Sequence, residues 1–180
     1  MNLRFQLSSP RLRVTLRTIG PDEIETLRVW KNAHRTAFFH QATIEPDQQH
    51  RWFTGYLSRE TDYMFMAEHA GTAFGCLGFR LLGSRADIYN VMRGRPDAGG
   101  RGLMSEAMRL LCSYIAAEFT REIGAEVLRS NPARAWYRDN AFRETADAGT
   151  QVHVDLDWAR FEPCEVCPSA PAPDAERGES

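Results

Sequence analysis

Apolar and polar residues alternate over residues 12–16, with Leu12, Val14 and Leu16 on one side, the period of a half-buried strand. Gly20-Pro21-Asp22-Glu23 then predicts a helix start. Proline suits the first helical position, and the two acids favour the positive end of the helix dipole. Ile24, Leu27 and Trp30 give this helix its apolar stripe, and it is expected to end near Asn32 or Ala33. Residues 34–43 read as a loop carrying Phe38, Phe39 and His40. A second helix is expected after Pro46, with Trp52, Phe53, Tyr56 and Leu57 on one side and Gln48, Gln49 and Arg51 opposite.

Residues 63–68 and 72–80 read as two strands joined by a turn at His69-Ala70-Gly71, with Gly75 and Gly78 marking a bulge. A third strand is expected over residues 86–93, with Ile88, Asn90 and Met92 on one face and Asp87, Tyr89 and Val91 on the other. The clearest helix starts at Leu103, where Leu103, Ala107, Leu110, Leu111, Tyr114 and Ile115 recur at helical spacing. Gly124 is expected to end that region, and residues 126–129 to form a short strand. A small helix over 133–140 and extended chain from Phe142 follow. Val152, Val154, Leu156 and Trp158 alternate with polar residues, as in a final strand with one wet face. This order predicts an α+β (or α/β) fold, a mixed, mostly antiparallel central sheet flanked by helices. It fits a single domain over residues 1–160, with the proline-rich residues 161–180 as a disordered tail.

Composition narrows the function classes. The net charge of −2 gives no electrostatic footprint for nucleic acid. Mean hydropathy is −0.45, and no apolar run approaches the roughly 18 residues of a membrane span, so no membrane partner is expected. Residues 1–10 lack the apolar core of a secretion signal, and a soluble, cytoplasmic protein is expected. Lys31 is the only lysine among 22 lysines and arginines. Cys76 and Cys112 lie in apolar stretches, and Cys164 and Cys167 form one Cys-x-x-Cys pair. That pair is two ligands short of a closed zinc site, so no metal is expected.

The stretch from Asn90 to Met104 joins a strand, a glycine-rich loop and a helix N-terminus. Gly100 and Gly102 let the backbone approach an anion closely, and the first N–H groups of the helix would donate to it. Arg93, Arg95 and Arg101 stand nearby as further phosphate partners. A surface loop with a glycine-rich helix entry explains the glycines equally. The loop lacks the Gly-Lys-Ser/Thr of a P-loop and the Gly-x-Gly-x-x-Gly of a dinucleotide fold.

Two motifs in this order resemble the GNAT acyltransferases, which move an acetyl group from acetyl-CoA to an amine. Gly100-Arg101-Gly102 is similar to the Gly-x-Gly part of that family's cofactor loop, although Asp97 stands where the family has Gln or Arg. Residues 130–142 contain Asn131, Tyr137 and a closing Phe142 in the family's order, with the Asn-to-Tyr interval one residue short. Trp30-Lys31-Asn32, residues 48–53 and residues 87–94 resemble the branch of ribosomal-protein N-terminal and amino-sugar acetyltransferases. The likeness spans about residues 11–160.

The resemblance implies acetyl-CoA as cosubstrate. Val91, Met92 and Arg93 would offer backbone to the pantetheine arm. Gly100, Arg101, Gly102, Leu103 and Met104 would hold the pyrophosphate, and Asn131 would bond the pantetheine or the thioester. Tyr137 is the implied general acid for the leaving thiolate. Glu68 and Asp87 are the leading candidates for the base, with Tyr89, His34 and His40 as others. The expected partner is a small-molecule amine such as an amino sugar. A protein or peptide N-terminus and a non-catalytic acyl-CoA sensor remain alternatives, and the resemblance leaves a homodimer open.

Overall fold

The structure is a computed structural model that describes residues 4–170. Its strands are β1 (Gln6–Ser8), β2 (Val14–Thr18), β3 (Asp62–His69), β4 (Thr72–Leu82), β5 (Arg85–Arg93), β6 (Glu122–Leu128), β7 (Phe142–Ala148), β8 (Gln151–Leu156) and β9 (Cys167–Ser169). Its helices are α1 (Ile24–Ala33), α2 (Pro46–Leu57), α3 (Leu103–Glu118) and α4 (Arg134–Asp139). The strands form one sheet in the order β7-β8-β6-β5-β4-β3-β2-β1-β9. Every pairing is antiparallel except β5 with β6. The α+β expectation, a mostly antiparallel sheet flanked by helices, holds.

Two apolar layers cover the sheet. One contains α3 and Tyr137 of α4 against Leu16, Phe65, Leu77, Phe79, Ile88 and Val127. The other packs α1 and α2 against Met64, Met66, Cys76 and Met92. Tyr56 locks the second layer, because the buried Met64 N–H donates to its hydroxyl at 3.0 Å.

Several local expectations are corrected. In α2, Gln49 is buried with Phe53 and Tyr56, while Leu57 is exposed, so the inward face follows 49, 53 and 56. Strand β6 starts at Glu122 and includes Gly124, because α3 already ends at Glu118. Residues 161–170 belong to the folded body rather than a free tail. Cys164 N–H donates to Ser113 Oγ at 3.0 Å, and β9 pairs with β1. The remainder of the expected tail, 171–180, lies outside the described residues.

The correction that matters most concerns β5. Gly78 faces Tyr89, but Cys76 faces Met92, so Asn90 and Val91 together oppose Leu77. This is a β-bulge, and Asn90 sits at φ 51°, in the left-handed region that asparagine tolerates better than most residues. The extra residue reverses the alternation. Ile88 and Val91 share the α3 layer, whereas Tyr89 and Met92 share the α1/α2 layer.

Candidate active site

The bulge lies where the sheet opens. Parallel pairing of β5 with β6 runs from Arg85↔Glu122 to Ile88↔Ala125 and stops there. Beyond it the two strands part, and a cavity of about 250 Å³ fills the gap. Tyr89, Asn90 and Val91 line it from β5, and Glu126, Val127 and Leu128 from β6. Asn131, Trp136 and Tyr137 close one side, and Phe38, Phe39 and His40 the other. Backbone groups on the facing edges of two parting strands lack sheet partners, so an extended ligand arm can pair with them.

Tyr137 and Glu126 reach this slot from opposite faces of the sheet. Tyr137 belongs to the α3 layer, packed edge-on against Trp136 at 5.3 Å and Phe142 at 5.4 Å. Burial pushes its phenol pKa up, with Cys112 and Asp87 adding to the effect. The hydroxyl therefore keeps its proton across the neutral range. Ile123, Ala125 and Val127 of β6 point into the α3 layer, which turns Glu126 to the other face. Its carboxylate accepts a hydrogen bond from Gln151 Nε2 at 3.1 Å and lies 3.6 Å from His153 Nδ1.

Strand β5 runs on from the slot into the glycine loop. Gly100 and Gly102 both have φ 72°, where a side chain would be strained, and Gly102 is the N-cap of α3. No side chain caps this helix, and its first bond from behind the cap is Glu106 N–H to Gly102 C=O at 3.0 Å. The N–H groups of Leu103, Met104 and Ser105 therefore have no intrahelical acceptor and sit at the positive end of a 16-residue helix. Arg13 steadies the loop, donating to the Arg101 carbonyl at 2.8 Å.

The arginines of the loop are not equally free. Arg95 grips Asp97 at 2.7 Å and holds its carboxyl below the usual carboxylate range. Asp97, the departure from the expected Gln/Arg, thus neutralises a neighbouring cation. Arg101 approaches His69 Nε2 at 3.2 Å, and Arg93 packs beside Gly99. The donors that remain free of side-chain partners in this loop are chiefly backbone N–H groups.

The family model of the acetyltransferase (GNAT) domain matches residues 13–135. The chain belongs to the GNAT acetyltransferase family. Solved structures share its fold. A domain from Methanocaldococcus jannaschii has a TM-score of 0.70 at 15% identity, covering 79% of this chain and 97% of that one. The spermidine N-acetyltransferase of Vibrio cholerae, in complex with CoA and spermine, has a TM-score of 0.66 at 15% identity, covering 79% and 93%. RimL, a ribosomal L7/L12 α-N-protein acetyltransferase in complex with coenzyme A, has a TM-score of 0.66 at 17% identity, covering 79% and 92%. No curated protein matches the sequence. Among the described residues no helix is long and apolar enough to cross a membrane, and no cluster of His, Cys, Asp and Glu could hold a metal.

Within this GNAT domain, three consecutive residues of α1 tie the site together. Trp30 lies against Gly94, where an added Cβ would overlap the indole. Lys31 donates to Asn90 Oδ1 at 2.8 Å, fixing the bulge. Asn32 bonds Ile44 twice, accepting from its N–H at 2.8 Å and donating to its C=O at 3.0 Å. Asn131 reaches the same loop from the other side. Its Nδ2 donates to Ala37 C=O at 3.1 Å, and its Oδ1 accepts from Ala133 N–H at 2.8 Å. Gly94→Ala should displace Trp30 and cost about 1–3 kcal/mol, the range for overpacking a filled site. The expected reading is a melting temperature lower by roughly 2–10 °C.

The other base candidates separate by position. Glu68 is committed to Arg17 at 2.8 Å and lies outside the slot. Asp87 is held by burial above the usual carboxylate range and sits in the part of β5 still paired with β6. Tyr89 lines the slot, but its hydroxyl donates to Asp62, and burial pushes its pKa up. His40 lines the slot, whereas His34 caps α1. Nothing in the local sequence marks Glu126, which lies inside β6 and not at its start. The parallel pairing that ends one residue earlier is the only signal that singles it out, and that pairing is tertiary.

Beside the slot lies a second cavity of about 350 Å³, on the α1/α2 side. Lys31, His40 and Asn90 line both cavities. The second is completed by Leu27, Ile44, Gln48, Gln49, Trp52, Met64 and Met92.

Proposed function

We propose that this GNAT enzyme moves the acetyl group of acetyl-CoA onto a primary amine of a small molecule, by direct attack on the thioester. The observation that carries the reading is the slot between β5 and β6, with a buried phenol on one face and a carboxylate on the other. The pyrophosphate would take the N–H groups of residues 100–104, and the pantetheine arm the backbone of Val91, Met92 and Arg93. Asn131 would turn its amide to the arm, or keep its present bonds and shape the wall. The amine would enter from the 350 Å³ cavity on the α1/α2 side. A cavity of that size under the 34–45 loop suits a small molecule better than a folded protein surface.

In this reaction the amine nitrogen attacks the thioester carbonyl, a C–N bond forms and the C–S bond breaks. Glu126, directly or through one water, takes the proton that the amine must shed. Tyr137 gives its proton to the departing thiolate. The proton crosses from the phenol oxygen to the sulfur, so CoA leaves as the neutral thiol, and the phenolate left behind regains a proton from the one that Glu126 took, relayed by water. A cytoplasmic location goes with this cosubstrate.

The test is a thiol-release screen of acetyl-CoA with amino sugars, amino acids, peptides and polyamines. Release with small amines, and with mass spectra showing the N-acetyl product, is the expected result. Release with peptides alone would assign a protein N-terminus as acceptor. CoA binding without release from any amine would leave a sensor.

A further inference from the structure

The lining of the second cavity carries information about the acceptor, given the acetyl transfer proposed above. None of its ten residues is an Asp or Glu, and Lys31 is among them. We infer that the acceptor is a primary amine that also bears an anionic group, a carboxylate or a phosphate, which Lys31 holds.

Lys31 has unused donors and, among the described residues, no counter-ion. An ammonium has three N–H donors, and one is used on Asn90 Oδ1. The group also rides 5.3 Å from the centre of the Phe38 ring. No carboxylate lies within ion-pair distance of it among the described residues, although the chain has 24 acids and forms ion pairs elsewhere. Burial pushes its pKa down; the neighbouring Cys76 thiol opposes this and Arg80 adds to it. A half-buried ammonium without an anion is poorly compensated, and an anionic group on a ligand would favour its charged form. In a chain whose other basic side chains are all arginine, the single lysine stands at the border of the two cavities.

Gln49 supports the same reading. It is only 6% exposed, its amide makes no hydrogen bond among the described residues, and it lines the cavity. It offers two further donors to an oxyanion. Leu27, Ile44, Trp52, Met64 and Met92 supply an apolar wall for the rest of the molecule. A polyamine finds nothing here to neutralise its second and third charges. The fold relative that binds spermine therefore differs from this chain in the acceptor it suits.

The experiment measures kcat/KM for paired acceptors: glucosamine 6-phosphate against glucosamine, phenylalanine against phenethylamine, and spermidine alone. The first pair reads phosphate and the second carboxylate. The anionic member of at least one pair should be preferred tenfold or more, and spermidine should be the poorest substrate. Lys31→Met should reduce that preference at least tenfold, mainly through acceptor KM, and Lys31→Arg should restore part of it. The dissociation constant for CoA, measured by calorimetry, reports any disturbance of the Asn90 bulge that Lys31 holds, and it should change less than the acceptor preference, a ratio taken within one protein. Equal or greater turnover, by the unmodified enzyme, of the amines that lack an anionic group or of the polycationic amine overturns the inference, even if the variants do not fold. So does an unchanged preference in Lys31→Met. Absence of release from every amine while CoA still binds overturns the acetyl transfer itself, and the inference with it.

Discussion

Replacing Tyr137 by Phe is expected to lower kcat by about 10²–10⁴-fold, the usual contribution of a positioned general acid, with little change in acetyl-CoA affinity. The substitution removes one oxygen and keeps the ring. The edge-on contacts to Trp136 and Phe142 survive, so the melting temperature should hold. A loss through KM alone would point to a binding role, and full activity would mean that water protonates the thiolate. The raised phenol pKa adds a pH signature. Ionisation of a general acid abolishes its function as pH rises through its pKa. With that pKa pushed above the ordinary value near 10, the unmodified enzyme should show no alkaline decline from this group up to about pH 10.

The second large effect is expected at Glu126. Glu126→Gln preserves the shape of the side chain and its capacity to bond Gln151, but it cannot accept a proton. A fall in kcat of about 10²-fold is expected at neutral pH. The deficit should shrink as pH rises towards the acceptor's own pKa, because the amine then arrives already neutral. Glu68→Gln is the control: it breaks the pair with Arg17 and should lower stability while sparing kcat. If Glu126→Gln were as active as the unmodified enzyme at every pH, the base would be water or Asp87.

Both assignments follow from one piece of geometry. Strands β5 and β6 run parallel for four register pairs and then part. The gap passes through the sheet, so groups from its two faces can meet at one bond. The bulge at Asn90 and Val91 shapes the β5 edge of that gap, and Lys31 and Cys76 hold it. Lys31 bonds the Asn90 side chain at 2.8 Å, and Cys76 Sγ lies 3.3 Å from the Asn90 carbonyl oxygen. The cation that stabilises the bulge is thus the one that lines the second cavity.

Much of this architecture is legible in the sequence because it is local. The period of 3.6 over residues 103–115 and the period of 2 over residues 152–158 each require one face to be buried, whatever covers it. Gly100 and Gly102 announce a backbone that only glycine adopts without strain, and both have positive φ. The order of the cofactor loop and the Asn131–Phe142 segment was enough to indicate the family, which the match over residues 13–135 then showed.

What only the tertiary structure decided is what depends on pairing between distant segments. The alternation along β5 was misread because a bulge is defined by the partner strand, and residue 90 alone does not reveal that it and Val91 share Leu77 as a neighbour. The polarity of Gln49 predicts an outward position, whereas α2 packs it inward beside a cavity. Strands β1 and β9 are three residues each, too short for a periodic signal, and exist because each pairs with a neighbour far away in sequence. Glu126 became a candidate only when the end of the β5–β6 ladder was known. The sequence determined the longer elements, the glycine loop and the family. The meeting of Tyr137, Glu126 and Lys31 was left to the fold, since no local pattern encodes where two strands part.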